Sequence, residues 1–331
     1  MRKTCFTLIF FFAVFTLARA QQDAQFTQYL FNQLYFNPAF AGVEGNTKLS
    51  LIHRSQWAGY NSTFDDGSAP STQVLSFNTF LPKFKSGIGL HVVNDNIGAL
   101  NNVELQLSYA YHVTLSDESK LSFGLRGGLY TKIVDFDKYR FRDDGDPFEI
   151  SGSEAVLKPD LAVGIYYHSE KMFASISANH LAKSEFNFGD ALNQQALTNN
   201  IYIFGGYNFE IAPRSRRSLI FTPTFLFKTD AFIEYSFDVG GLFTYDDTFW
   251  VGSTFRNEES ANVILGVNVP RNLKRKNKKV QHNIKLNYSF DYVFSGQNAK
   301  QPTSHEISIS YDLPVSLPLL PAKIGTPRSK Y

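Results

Sequence analysis

Cysteine is nearly absent from this 331-residue chain, and the single one, Cys5, stands within its first few residues. Residues 1–20 read as a signal peptide. Arg2 and Lys3 form a basic start, 6–17 is almost wholly apolar, and Ala18-Arg19-Ala20 fits an A-x-A cleavage site. Cys5 is too early and too poorly flanked for a lipoprotein cysteine, and it leaves with the signal. The mature chain then has no disulfide, no thiol nucleophile and no cysteine-ligated metal. A charge excess is missing too. Lys and Arg total 32 and Asp and Glu 30, and losing Arg2, Lys3 and Arg19 takes the net charge from +2 to −1. That balance offers no footing for a nucleic-acid partner. Beyond residue 20 no apolar run reaches the roughly 18 residues that a transmembrane helix needs.

Aromatic residues and strand periodicity are what the chain does have. Phe, Tyr and Trp make up 15% of it, while the mean hydropathy is −0.20. An exported chain of this kind suits an outer-membrane β-barrel, where half of each strand meets lipid and half meets water. A secreted β-sandwich array competes on composition alone. Alternation favours the barrel. Val103, Leu105, Leu107, Tyr109, Tyr111 and Val113 interleave with Glu104, Gln106, Ser108, His112 and Thr114. Ile284, Leu286, Tyr288, Phe290 and Tyr292 interleave with Lys285, Asn287, Ser289 and Asp291. A period of two puts each set on its own face of a sheet. Several of these runs are longer than ordinary globular strands.

Fourteen segments carry the pattern, near 46–53, 71–80, 86–93, 103–115, 119–133, 159–168, 171–180, 199–211, 217–228, 231–245, 248–256, 260–269, 281–294 and 304–313. An even number suits a barrel with both termini in the periplasm. The long gaps then fall mostly outside and the short ones inside, the asymmetry such barrels show. The exception is 270–280, an inner gap carrying Arg271, Lys274, Arg275, Lys276, Lys278 and Lys279. Its readings are a solvated turn, a contact to anionic lipid, or a docking site for a periplasmic partner. The expected fold is therefore all-β: an antiparallel transmembrane β-barrel of about 14 strands over 46–313. A short N-terminal periplasmic segment or plug (21–45) precedes it, and an extended periplasmic tail (314–331) follows. In 25–42, Phe26, Tyr29, Leu30, Gln33 and Leu34 fall at helical spacing and Asn37-Pro38 ends the run. The expectation is a short helical segment docked at the periplasmic mouth.

Little in the sequence argues for chemistry. The seven histidines (His53, His91, His112, His168, His180, His282 and His305) show no metal-ligand spacing. The inward ionisable positions, Glu104, Arg126, Glu234, Asp238, Lys285, Asp291 and Glu306, are of mixed sign, as is ordinary for barrel interiors. No enzyme activity and no cofactor are expected. Asp143, Asp144, Asp146 and Glu149 could hold Ca²⁺, but the spacing is not that of the twelve-residue loop and an acidic turn accounts for it equally. The pairs Gly127-Gly128, Gly205-Gly206 and Gly240-Gly241 suit sheet bending or close approach of a plug better than phosphate binding.

The run 25–42, QFTQYLFNQLYFNPAFAG, is more specific. Followed by His53-Arg54-Ser55-Gln56-Trp57 and by Ala69-Pro70-Ser71-Thr72-Gln73, it resembles the PorP/SprF family of type IX secretion system membrane proteins. The residues carrying the likeness are Phe26, Gln28, Tyr29, Phe31, Asn32, Asn37, Pro38, Gly42, Arg54, Gln56 and Trp57. The resemblance implies a non-catalytic outer-membrane barrel of a gram-negative bacterium, working in type IX secretion and gliding. Its implied partners are outer-membrane lipids, the periplasmic ring lipoproteins, a peptidoglycan-binding lipoprotein, and a large secreted adhesin with a C-terminal sorting domain. A passive channel or solute transporter is the alternative. Read from the residues alone, the aromatic side chains wedge the segment into the barrel base and Trp57 anchors the membrane interface. Arg54 and Gln56 have the option of folding inward to hydrogen-bond the lumen.

Overall fold

The computed structural model describes residues 23–60, 69–139, 151–188, 193–212, 217–230, 234–275, 278–294 and 302–313. The expected signal peptide (1–20), the expected periplasmic tail (314–331) and the acidic stretch from Asp143 to Glu149 lie outside the described residues.

The strands are β1 (Thr47–Ser55), β2 (Ser71–Leu81), β3 (Ser86–Ile97), β4 (Leu100–Ser116), β5 (Ser119–Asp135), β6 (Ser153–Ser169) and β7 (Met172–Asn179). A small hairpin follows, β8 (Glu185–Phe188) with β9 (Asn193–Ala196). The wall continues through β10 (Asn200–Tyr207), β11 (Phe209–Ala212), β12 (Leu219–Asp230), β13 (Glu234–Tyr245) and β14 (Phe249–Arg256). It ends with β15 (Ser260–Arg275), β16 (Lys278–Val293) and β17 (Thr303–Leu313). β10 and β11 form one wall strand broken at Asn208, and both pair with β12. With the β8–β9 hairpin set aside, the wall is a closed antiparallel barrel of 14 strands. Each strand pairs with its sequence neighbour, and β1 closes on β17, Arg54 facing Glu306.

Alternation does the sorting. Along β1, Leu49 and Leu51 are 43% and 49% exposed, whereas Ile52 and Arg54 are 1% exposed. The outer face is an apolar and aromatic belt that only lipid can cover, and the inner face is polar. Closure removes every free sheet edge in the hydrocarbon, where an unpaired backbone group is costly. No helix is long and apolar enough to cross a membrane among the described residues.

Two stretches of wall overshoot the 9–11 residues or so that a tilted span needs. β4, β5 and β6 each run 17 residues. Past one mouth they carry a small apolar core, in which Phe186, Phe188 and Leu197 of the hairpin pack on Tyr130, Val134 and Phe136. β15 and β16 overshoot at the other mouth. Their ladder continues to Arg275↔Lys278, while β14 stops at Phe249↔Val267 and β17 at Asn283↔Asp312. The expected long loop at 270–280 is thus mostly a two-stranded ribbon. Outside lipid there is no penalty to impose apolar alternation, so its strands escape a period-two reading. The gap expected at 94–102 closes likewise, to a Gly98-Ala99 turn. The mouth bearing the long connections is the outer one by the usual asymmetry.

Candidate functional site

The lumen is occupied by the chain's own N-terminal segment. It was expected as a helix against the periplasmic mouth, but it traverses the interior from the outer half to the inner rim. It forms only three single turns, Tyr29–Phe31, Gln33–Phe36 and Pro38–Phe40. A helix this short is marginal by itself, and the wall takes the carbonyls that would extend it. Arg126 donates to the carbonyl oxygens of Leu34 and Tyr35, and Ser177 Oγ donates to that of Phe36 at 2.7 Å.

At the outer end, Asp23 accepts from His180 Nε2 at 2.9 Å and from the Tyr202 hydroxyl. His180 Nδ1 lies 3.0 Å from Asp160, so the imidazole bridges two carboxylates. Burial opposes ionisation of Asp23, but His180 and the hydrogen bonds outweigh it and hold the carboxyl at about 2. Burial likewise opposes protonation of His180, yet Asp23 and Asp160 raise it well above the usual histidine value.

The next turn of chain is held by a buried ion network. Arg54 binds Asp291 at 2.7 Å and Glu306 at 3.1 Å. Those carboxylates also serve the segment, Glu306 accepting from the Thr27 amide at 2.8 Å and Asp291 from the Thr27 hydroxyl at 2.8 Å. Gln28 Nε2 donates to the Glu306 carbonyl at 2.9 Å, and Ser308 Oγ donates to Gln28 Oε1 at 2.6 Å. Across the lumen, Arg256 binds Asp238 at 2.7 Å and donates to the Phe26 carbonyl at 3.0 Å. Lys228 adds a second cation to Asp238 at 3.3 Å. Such networks are tolerable in a lumen because each charge is paired and hydrogen-bonded.

Tyr29 meets Thr224 at 2.7 Å, and Phe31 stacks on Trp250 with centroids 5.7 Å apart. Phe26, Tyr35 and Phe36 form an edge-to-face cluster. Asn32 is buried. Asn37 caps the last turn, accepting from the Ala39 amide at 2.8 Å, and its amide donates to Ile165 and Ile176 carbonyls at 2.9 and 3.2 Å. Pro38 and Ala39 then lie directly on the wall. A Cβ at Gly124 would stand 2.1 Å from the Ala39 amide nitrogen, and one at Gly164 would stand 2.0 Å from Asn37 Oδ1. Gly42, at φ +77°, donates to Asn78 at 2.6 Å as the segment turns into β1.

Nine of the eleven motif residues are therefore drawn together in or against the lumen, Arg54 among them. Gln56 and Trp57 stand apart in the first outer connection. The Gln56 amide donates to the Pro70 carbonyl at 2.8 Å, the Trp57 amide to Ser304 at 3.0 Å, and the Trp57 ring contacts Tyr60. Of the expected inward ionisable residues, Glu104, Arg126, Asp238, Asp291 and Glu306 are buried, and Lys285 binds Asp312 at 3.2 Å. The close approach expected at the glycine pairs occurs at Gly124, Gly164 and Gly87, each met by the segment. The pairs, Gly127 excepted, are crowded instead by wall neighbours such as Phe173 and Phe221. Sequence reasoning missed Asp23, Asp160, Lys228 and Arg256. Period-two inward placement would have flagged the last three, whereas nothing local marks Asp23. No group of three or more His, Cys, Asp or Glu arranged to hold a metal occurs among the described residues. The side chains of the basic ribbon are not described.

Among solved structures the chain is similar to a Pseudomonas aeruginosa FadL homologue, 11% identical, TM-score 0.43, over 84% of this chain and 92% of that one. It is also similar to the monoaromatic hydrocarbon channel CymD (11%, TM-score 0.44, 86% and 92% covered). The P. putida toluene transporter TodX is a third (8%, TM-score 0.43, 84% and 92% covered). No curated protein matches. The family model described as "Type IX secretion system membrane protein PorP/SprF" matches residues 18–311.

Proposed function

Because the chain belongs to the PorP/SprF family of type IX secretion system membrane proteins, we propose that it serves that machinery as a holding component of the outer membrane. Its barrel anchors the periplasmic ring or a sorting-domain cargo by non-covalent contact and catalyses nothing. The observation carrying this reading is the filled lumen. Residues 23–45 hydrogen-bond or pack on strands round the whole wall, from β1 and β17 through β5 to β7 and on to β12, β14 and β16. A barrel spent on gripping its own chain offers a rigid platform, and a passive channel would need that path open.

The platform has a natural handle at its inner rim. The β15–β16 ribbon projects beyond both flanking strands, and Arg271, Lys274, Arg275, Lys278 and Lys279 lie on its two strands. Opposite charge on a ring protein would steer and orient it there.

The test is quantitative proteomics of the cell surface and medium after deletion of this gene. Loss of every sorting-domain protein marks a component of the core machine, and loss of one large adhesin marks a dedicated partner. Unchanged export, together with steady ion conductance of the purified barrel in a planar bilayer, would replace this reading with the channel.

A further inference from the structure

The belt facing lipid is not uniform. Three outward residues, Phe243, Val251 and Leu265, stand in one row across β13, β14 and β15, because Phe243 pairs with Val251 and Val251 with Leu265. Toward the inner rim the next row is Leu219, Tyr245 and Phe249. Val251 is the smallest of these six, and larger side chains ring it. The result is a recess of about 390 Å³ in the outer wall, lined by these residues. That volume lies within the range of small-ligand pockets, about 300–1,000 Å³.

The floor is stiff. Behind it Trp250 points into the lumen, stacks on Phe31 and donates to Asn287 at 2.7 Å. Gly266 gives the indole room, since a Cβ there would lie 2.0 Å from Trp250 Nε1. The recess is thus built by a wall braced from inside by the plug.

Its inner-rim edge is polar. Arg217, exposed just before β12, donates from Nη1 to the Tyr245 hydroxyl at 3.1 Å. A guanidinium held beside a phenol presents N–H donors suited to phosphate oxygens. Among the described residues Asp246, which follows Tyr245, is the carboxylate whose charge acts on Arg217, and a guanidinium carries five N–H donors, more than the Tyr245 bond uses. An apolar recess two side-chain rows deep at the inner end of the lipid face, edged by a cation, suits an acyl chain joined to an anionic headgroup.

We infer that the Phe243–Val251–Leu265 recess and Arg217 together bind a glycerophospholipid of the inner leaflet, one acyl chain in the recess and the phosphate on the guanidinium. The test is native mass spectrometry of the full mature chain, released from detergent and titrated with phosphatidylglycerol. A one-to-one adduct is expected to survive activation. Val251→Trp, which fills the recess from an exposed position, is expected to weaken it about tenfold or more. Arg217→Gln is expected to weaken it several-fold and to abolish the preference for phosphatidylglycerol over diacylglycerol. Val263→Trp, also lipid-facing but outside the recess, is the control and leaves the adduct intact; heat-modifiable migration confirms that each variant is folded. Equal adducts in the Val251→Trp and Val263→Trp proteins would overturn the proposal in favour of nonspecific annular lipid. Loss with Val251→Trp but not with Arg217→Gln would overturn it in favour of a phosphate-free acyl chain, such as a lipoprotein anchor.

Discussion

Residues 23–28 and residues 37–42 lie in the same lumen, yet different forces hold them. The outer stretch is gripped by charge: His180 on Asp23, the Arg54 network on Thr27 and Gln28, and Arg256 on the Phe26 carbonyl. The inner stretch has no ion pair of its own among the described residues. It is held by contact so close that the wall opposite must be glycine, with Asn37 satisfying backbone groups on both sides. Charge acts at a distance and tolerates small displacements, but it fails when a partner is removed or neutralised. Steric fit ignores pH and fails when one carbon is added. The plug is therefore fastened by two devices with separate weaknesses.

Removing the central cation should produce the largest effect. Arg54→Met leaves Asp291 and Glu306 buried beside each other without their counter-ion, a loss of about 3–5 kcal/mol. Chemical denaturation in detergent micelles, followed by heat-modifiable migration, should show a clear drop in midpoint. A midpoint like that of the native chain would mean that water screens the lumen and that charge is not what grips the outer stretch.

Adding bulk to the inner wall comes next. Gly124→Val drives side-chain carbons into the backbone at Pro38 and Ala39, which cannot rotate away. Overpacking of this kind costs about 1–3 kcal/mol, with the higher end expected where the neighbour is backbone. Gly127→Ala is the matched control, because its Cβ would meet only Leu161 at an ordinary 3.7 Å. Equal tolerance of both changes would remove the steric half of the comparison.

Acid and base should then separate the two stretches. Asp23 is held at about 2, so its contribution is complete above the ordinary carboxylate value near 4 and is lost as the pH falls toward 2. His180 is raised, so its contribution is complete below about 6.5 and is lost only as the pH climbs through its raised value. The outer latch is thus intact from about pH 4 to beyond neutrality and opens at both extremes. No cysteine follows Cys5 in the chain, so Gln25→Cys introduces the one reporter thiol beyond it. Thiol labelling there should be slow across the middle of the pH range and accelerate at its ends, whereas Ala41→Cys labelling, corrected for thiolate fraction, should stay flat.

The barrel was legible in the sequence because the bilayer enforces it residue by residue. Val103 to Thr114 alternates so strictly because one face meets lipid and the other the lumen, and the 14 segments map onto the 14 wall strands, although β6 starts at Ser153 and β15 runs to Arg275, each six residues beyond its expected segment. The plug was half legible. Its aromatic residues and Asn37-Pro38 announced a packed segment, but helical spacing misled, since the side chains follow the contour of a lumen rather than one helix face. Its depth was hidden because Asp23 and His180 meet across 157 positions, and a contact that distant leaves no local trace. The overhanging strands were unreadable for the opposite reason. Once past the membrane, Arg271 to Lys279 answers to no periodic constraint.

Deleting single hydroxyls is the finest probe of the comparison. Tyr29 bonds Thr224 at 2.7 Å at the end of the charged stretch, and Tyr166 donates to Gln33 at 2.8 Å where the fitted stretch begins. Each bond is worth about 0.5–1.5 kcal/mol, but what is left behind differs. Thr224 is buried, so Tyr29→Phe strands its hydroxyl in the lumen, whereas Gln33 is half-buried and can turn toward water. The expected order is therefore a measurable loss for Tyr29→Phe, near the upper end of that range, and a smaller one for Tyr166→Phe. Equal losses in denaturant titrations would mean that water reaches both ends of the plug alike, and the outer stretch would then owe its grip to ion pairs strong enough to persist in a wet lumen.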